Sequence, residues 1–173
     1  MSRWAAVFMV LVAVGCVHTY ELESRTADAL SLKLSRQTTF YVGIPDNGRF
    51  GSRVYSGSGD MTAQAIVAAL SGHVRTVRTA SSPASIEETL AAARIVSASY
   101  IVQPTILHWE DRATEWSGIR DRMTIRLQLI RTSDGEVLNS TIISGKSRWA
   151  TFGGDHPQDL LPEPLSRYVV GLF

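Results

Sequence analysis

The sequence predicts an α+β layer domain, one mixed β-sheet with helices packed on it, in the order β-α-β-α-β-β-β-α. Three observations predict it. Short runs rich in β-branched and aromatic residues alternate with stretches of helical period up to about residue 100, which gives two right-handed strand–helix–strand crossovers. An alternating segment, Met123 to Leu129, and a returning strand from Val137 then flank Asp134-Gly135, a hairpin turn pair. Finally, 173 residues with 45% hydrophobic and 19% charged content suffice for one core and argue against long disorder. A formal charge of +1 excludes a strongly basic nucleic-acid binder. A single cysteine excludes an internal disulfide and a Cys-rich zinc module.

Residues 1–15 read as a signal peptide rather than as part of the fold. Arg3 gives a positive start, and Trp4 to Val14 is an unbroken apolar run of eleven residues, too short to span a membrane. The string Ala13-Val14-Gly15-Cys16 that follows resembles the bacterial lipobox. That resemblance implies a diacylglycerol thioether and an N-acyl chain on Cys16, palmitate among the acyl groups. Each buried methylene contributes about 0.8 kcal/mol, so several chains anchor stably. Val17 follows the cysteine in place of the Asp that retains enterobacterial lipoproteins in the inner membrane, which implies the periplasmic leaflet of the outer membrane. Without Arg3 the mature chain has 16 basic and 16 acidic side chains, a formal charge of zero.

Residues 16–37 read as a lipidated tether, with the alternation of Leu30, Leu32 and Leu34 suggesting a short strand at its end. A single globular domain is expected over 38–173. Thr38 to Ile44 is a strand closed by Pro45-Asp46-Asn47-Gly48. A Gly/Ser-rich loop leads to Asp60, placed to cap a helix whose inner face carries Met61, Ala65, Ile66, Ala69 and Leu70. Val74 to Thr79 is the second strand. Ser85 with Glu88 forms a capping box, and that helix turns Ile86, Leu90 and Ala93 inward. Tyr100 to Trp109 is the third strand; its apolar start suits a central position, while Pro104 argues for a bulge or an edge. Met123, Ile125, Leu127 and Leu129 alternate with Thr124, Arg126 and Gln128, so one face is core and the other wet. Val137 to Arg148 returns antiparallel. After a loop, Pro162 and Pro164 suit a helix start, and Leu165, Tyr168, Val169 and Leu172 make its apolar face.

The element order resembles the fold of the amino-terminal domain of TolB, the curli secretion lipoprotein CsgG and the penicillin-binding-protein activator lipoproteins. The likeness lies in Thr38–Ile44, in Leu90-Ala91-Ala92-Ala93 leading to Ser99-Tyr100-Ile101-Val102, and in Leu129-Ile130-Arg131 leading to Asp134-Gly135-Glu136-Val137-Leu138. Three further strings, beginning at Val42, Pro104 and Gly145 and ending at Gly48, Gly118 and Pro162, resemble a bacterial lipoprotein family, domain of unknown function 4823. This second resemblance covers about residues 36 to 173 and implies a location and a fold, but no activity.

Two segments concentrate the reactive and aromatic residues. His108, Glu110, Asp111, Asp155, His156 and Asp159 have the ligand types of a metal site, but their spacing fits no metal motif. The plainer expectation is that they hydrogen-bond each other across two neighbouring loops. Trp109, Arg112, Trp116, Arg148, Trp149, Phe152 and His156, with Arg120 and Arg122 near them, have the composition of interface hot spots. The competing expectation for these is Arg–Trp packing beneath loops. The Gly51–Asp60 stretch opens a helix but lacks any phosphate-loop pattern, and no G-x-S-x-G occurs. His73 lies near a helix end and His18 in the tether.

The expected function is therefore a non-enzymatic, lipid-anchored envelope protein whose periplasmic domain binds another envelope protein or peptidoglycan, with no nucleic-acid partner and no cofactor beyond its lipid. The rival is a metal-dependent or small-molecule hydrolase using His108, Glu110 and His156. A third reading is a structural subunit of a larger ring.

Overall fold

The computed structural model describes residues 19–24, 32–111, 120–147 and 156–173. The expectations for the leader, Cys16 and His18, and those for Arg112, Trp116, Arg148, Trp149, Phe152 and Asp155, lie outside the described residues.

A mixed six-stranded sheet forms the centre of the domain. In chain order its strands are β1 (Thr19–Ser24), β2 (Thr39–Ile44), β5 (Thr76–Pro83), β6 (Tyr100–Glu110), β7 (Arg122–Arg131) and β8 (Val137–Lys146), with β3 (Arg49–Phe50) and β4 (Arg53–Val54) making a separate small hairpin. In space the order is β1-β8-β7-β6-β2-β5. β2 lies parallel to both β5 and β6, whereas β6, β7, β8 and β1 are successively antiparallel. Helices α1 (Ser58–Ser71), α2 (Ile86–Ile95) and α3 (Pro162–Val170) complete the domain, the last preceded by a 3-10 turn, Pro157–Leu160. The expected α+β layer architecture is what the chain adopts.

Each face of the sheet has its own core. The larger packs α1 and α3 against Phe40, Val42 and Ile44 of β2, Val102 of β6, Met123 to Leu129 at alternate positions of β7, and Ile143 of β8. The smaller packs Ala93 of α2 against Tyr41, Ile101 and Ile130. The period-2 pattern of β7 appears as alternation of buried and half-buried residues from Met123 to Leu129, because both of its neighbours are paired along nearly its whole length.

Several local expectations are revised. Thr19–Ser24, within the stretch read as a tether, pairs with β8 along six residues and extends the sheet. Leu32 and Leu34 add no strand; they pack on the core, and the Leu34 amide donates to the Leu172 carbonyl at 2.9 Å. Asp60 does not cap α1 but sits in its first turn, where its charge complements the helix dipole. The cap comes from the loop after β2, where Asn47 Oδ1 accepts the Gly59 amide at 3.1 Å. In α2 the capping box of Ser85 and Glu88 forms as read, but Ile86 is exposed and Thr89 takes an inward position. β6 is central rather than an edge; its pairing with β2 reaches Val102, short of Pro104, and its bulge falls between Ile106 and His108.

Candidate functional site

Of the His/acid residues singled out in the sequence, the described ones, His108, Glu110, Asp111, His156 and Asp159, gather where the parallel strands β2 and β6 end. This is the end of an open α/β-type sheet at which ligands and partners commonly bind. Among the described residues, four segments build it. Pro45 to Gly48 leaves β2, the β3–β4 hairpin lies over the end of β6, His108 to Asp111 closes β6, and His156 opens the 3-10 turn.

Close backbone approach holds these segments together. A Cβ on Gly48 would come within 2.4 Å of Trp109 Cβ, and one on Gly59 within 2.3 Å of the Pro45 carbonyl oxygen. Gly48 donates its amide to Ser58 Oγ at 2.8 Å, and Ser58 donates its hydroxyl to the Tyr55 carbonyl at 2.7 Å. The helix start, a position where backbone amides can cradle an anion, is thus occupied by the protein's own loop.

His108 and His156 belong to two separate pairs. His108 Nε2 donates to Glu110 Oε2 at 3.1 Å, and Glu110 is only 4% exposed. The His108 ring also meets Phe50 edge-on, 5.3 Å between centroids. His156 Nδ1 lies 3.4 Å from Asp111 Oδ1, while its amide donates to Asp159 Oδ2 at 2.9 Å. The Asp111 carbonyl accepts the Tyr55 hydroxyl at 3.2 Å. Among the described residues no three His, Cys, Asp or Glu side chains converge as metal ligands. His108, Glu110 and His156 therefore do not assemble into the trio a hydrolase would need. The His156–Asp111 contact crosses between two neighbouring segments, as the plainer expectation had it, whereas the His108–Glu110 bond lies within β6.

Trp109 is a correction to the expected contact surface: at 1% exposure it lies in the larger core. The bulge explains this. One extra residue between Ile106 and His108 reverses the in–out phase, sending Leu107 outward at 47% exposure and Trp109 inward. Of the expected surface residues, His156 is exposed at this end, and Arg120 and Arg122 are exposed beside it. Three residues of this site were not singled out from the sequence. Phe50 is exposed, and Arg53 stacks over the Tyr55 ring at 4.9 Å. Their signal was the aromatic pair flanking Gly51, whose φ of 58° permits the tight turn between β3 and β4.

At the opposite end of the sheet an open cleft of about 420 Å³ lies between α2 and the start of β6, lined by Arg94, Ser97, Tyr100, Arg131 and Thr132 among others. Its cations are engaged internally. Arg94 Nε donates to the Thr132 carbonyl at 3.1 Å, and Arg131 donates to Asp134 at 2.9 Å and to Glu136.

Residues 32–172 match the model of a protein family described as domain of unknown function DUF4823. Among curated proteins no sequence matches the chain. Among solved structures, the fold is similar to the PelC dodecamer from Paraburkholderia phytofirmans, with a TM-score of 0.67, 17% identity and coverage of 90% of this chain and 97% of that one. It is also similar to protein XCC0632 from Xanthomonas campestris, with a TM-score of 0.51, 15% identity and coverage of 77% and 82%. At such identity the likeness is one of fold.

Proposed function

This chain belongs to the DUF4823 family, and we propose that it is a lipid-anchored protein of the bacterial envelope that works by binding. Lipid on Cys16 confines the domain to a layer beside the outer membrane. There it meets another envelope protein or a cell-wall component at high effective concentration, so weak contacts suffice. The observation that carries this reading is the Ala13-Val14-Gly15-Cys16 string behind an eleven-residue apolar run. Supporting it, no three His, Cys, Asp or Glu side chains converge at the His/acid end of the sheet among the described residues.

The contact surface is proposed at that end. Phe50, Arg53, Tyr55 and His156 stand there, and the segments carrying Arg112, Trp116, Arg148, Trp149 and Phe152 begin and end beside it, after Asp111 and before His156. Aromatic and Arg side chains together are the usual energetic anchors of an interface.

Two measurements test the reading. Cys16→Ala is expected to move the protein from the membrane fraction to the soluble fraction; retention at the membrane would overturn the anchor. Crosslinking in intact envelopes, followed by capture, is expected to lose partners in a Trp116→Ala/Trp149→Ala variant; identical partner sets would overturn the surface. A second reading is that the domain acts as repeated copies, favoured by the dodecameric form of the PelC structure that shares its fold.

A further inference from the structure

We propose that copies of this chain join head to tail through the two edges of the sheet, β5 of one copy receiving β1 of the next. The inference takes its partner from the repeated-copy reading above and its geometry from the two strands.

Among the described residues the sheet ends in β1 on one side and β5 on the other. Strand directions follow from the pairings. β5, β2 and β6 run one way, β7 the other, β8 with β6, and β1 against β8. β1 is therefore antiparallel to β5, and a neighbouring copy continuing the sheet presents β1 to β5 in the antiparallel sense. Such a continuation also keeps both faces of the sheet in place.

The side chains agree with this continuation. Arg78 stands opposite Tyr41, on the face that carries α2, and Val77 opposite Phe40, on the face that carries α1. In β1, Glu21 stands opposite Ser144 on the α2 face, and Leu22 opposite Ile143 on the α1 face. Setting Arg78 against Glu21 places Val77 against Leu22, Thr76 against Glu23 and Thr79 against Tyr20. Leu22 is 39% exposed and gains an apolar neighbour. Arg78 and Glu21 are both exposed, and neither makes an ion pair among the described residues. Opposite charges directly across an antiparallel pair stabilise it, whereas like charges destabilise it.

The same charges exclude the symmetric alternatives. Two β1 edges centred on Leu22 would set Glu21 against Glu23 of the second copy, and two β5 edges centred on Arg78 would set Arg78 against its own copy. Exposed strand edges are generally kept apart by such charges. Here the edges carry opposite signs, so repulsion blocks like edges and leaves the unlike pair. A contact of this heterologous kind repeats from copy to copy and forms a ring where the rotation closes.

Sedimentation velocity of the full-length protein in detergent tests the proposal. The wild type is expected to form a species of several copies. Glu21→Arg alone and Arg78→Glu alone are each expected to weaken self-association at least about tenfold, since like charges across an interface are strongly unfavourable. Mixing the two single variants is expected to restore assembly, because each then offers the edge the other lacks. If both single variants assemble as the wild type does, or if the mixture stays apart, the edge interface is wrong while the repeated-copy reading stands. A wild type that is monomeric throughout overturns both, and leaves the lipid anchor untouched.

Discussion

Trp109 and Tyr168 show how one position can set the meaning of a surface. Trp109 fills the core beside Gly48, so removing it leaves a large cavity rather than a bare patch. Trp109→Ala is expected to cost about 3–5 kcal/mol of stability, read by urea unfolding. Partner loss in such a variant would follow from unfolding, which is why the surface test uses Trp116 and Trp149. Tyr168 is the reverse case. Its ring packs in the core, but its buried hydroxyl has no hydrogen-bond partner among the described residues, and burial pushes its pKa above the ordinary tyrosine value. Tyr168→Phe removes a desolvated polar atom while keeping the ring. It is expected to stabilise the protein by about 1 kcal/mol, measured by the same unfolding experiment.

At the scale of elements, the β7–β8 hairpin is set by its turn. Gly135 has a φ of 78°, where a side chain would be strained. Asp134 Oδ1 accepts the Glu136 amide at 3.0 Å, and Arg131 donates to the same carboxylate. The Glu136 amide, and after it Arg131, hold the Asp134 carboxyl below its ordinary pKa. A carboxyl whose pKa is depressed by folding contributes stability above its unfolded value, and that contribution is lost as pH falls through the folded value. Asp134→Asn is therefore expected to be less stable than wild type at neutral pH, with the gap closing as pH drops through the carboxylate range. Thermal unfolding at a series of pH values checks it. This hairpin was legible in the sequence, because its turn chemistry and period-2 pattern are local. So was the capping box of α2. β1 was not: TYELES alternates Tyr20 and Leu22 with Glu21 and Glu23, but over a run too short to stand out from the mixed-polarity stretch around it, and its strand state comes from pairing with the edge of β8. The cap of α1 was also hidden, because Asn47 lies twelve residues from the amide it serves. The phase of Trp109 was lost to a one-residue bulge between Ile106 and His108, past Pro104, whose hint of a bulge does not fix where it falls.

At the scale of the whole molecule, the six-stranded sheet is clamped unevenly between the three helices of the described residues. β6 and β7 lie inside it, paired with each other along ten positions and buried by side chains on both faces. Local opening free energies follow such burial and pairing. Native-state amide exchange is accordingly expected to be slowest in β6 and β7 and faster in β1 and β5, whose outer sides lack a strand partner among the described residues. Equal protection across the sheet would contradict this hierarchy. The start of β1 at Thr19 bears on how the molecule would stand in the envelope. Three residue steps separate Thr19 from Cys16, a leash of at most about 10 Å. With acyl chains on Cys16, as proposed, the domain could not drift far into the periplasm. It would ride close against the lipid headgroups, its orientation steered by a strand that is itself stitched into the sheet.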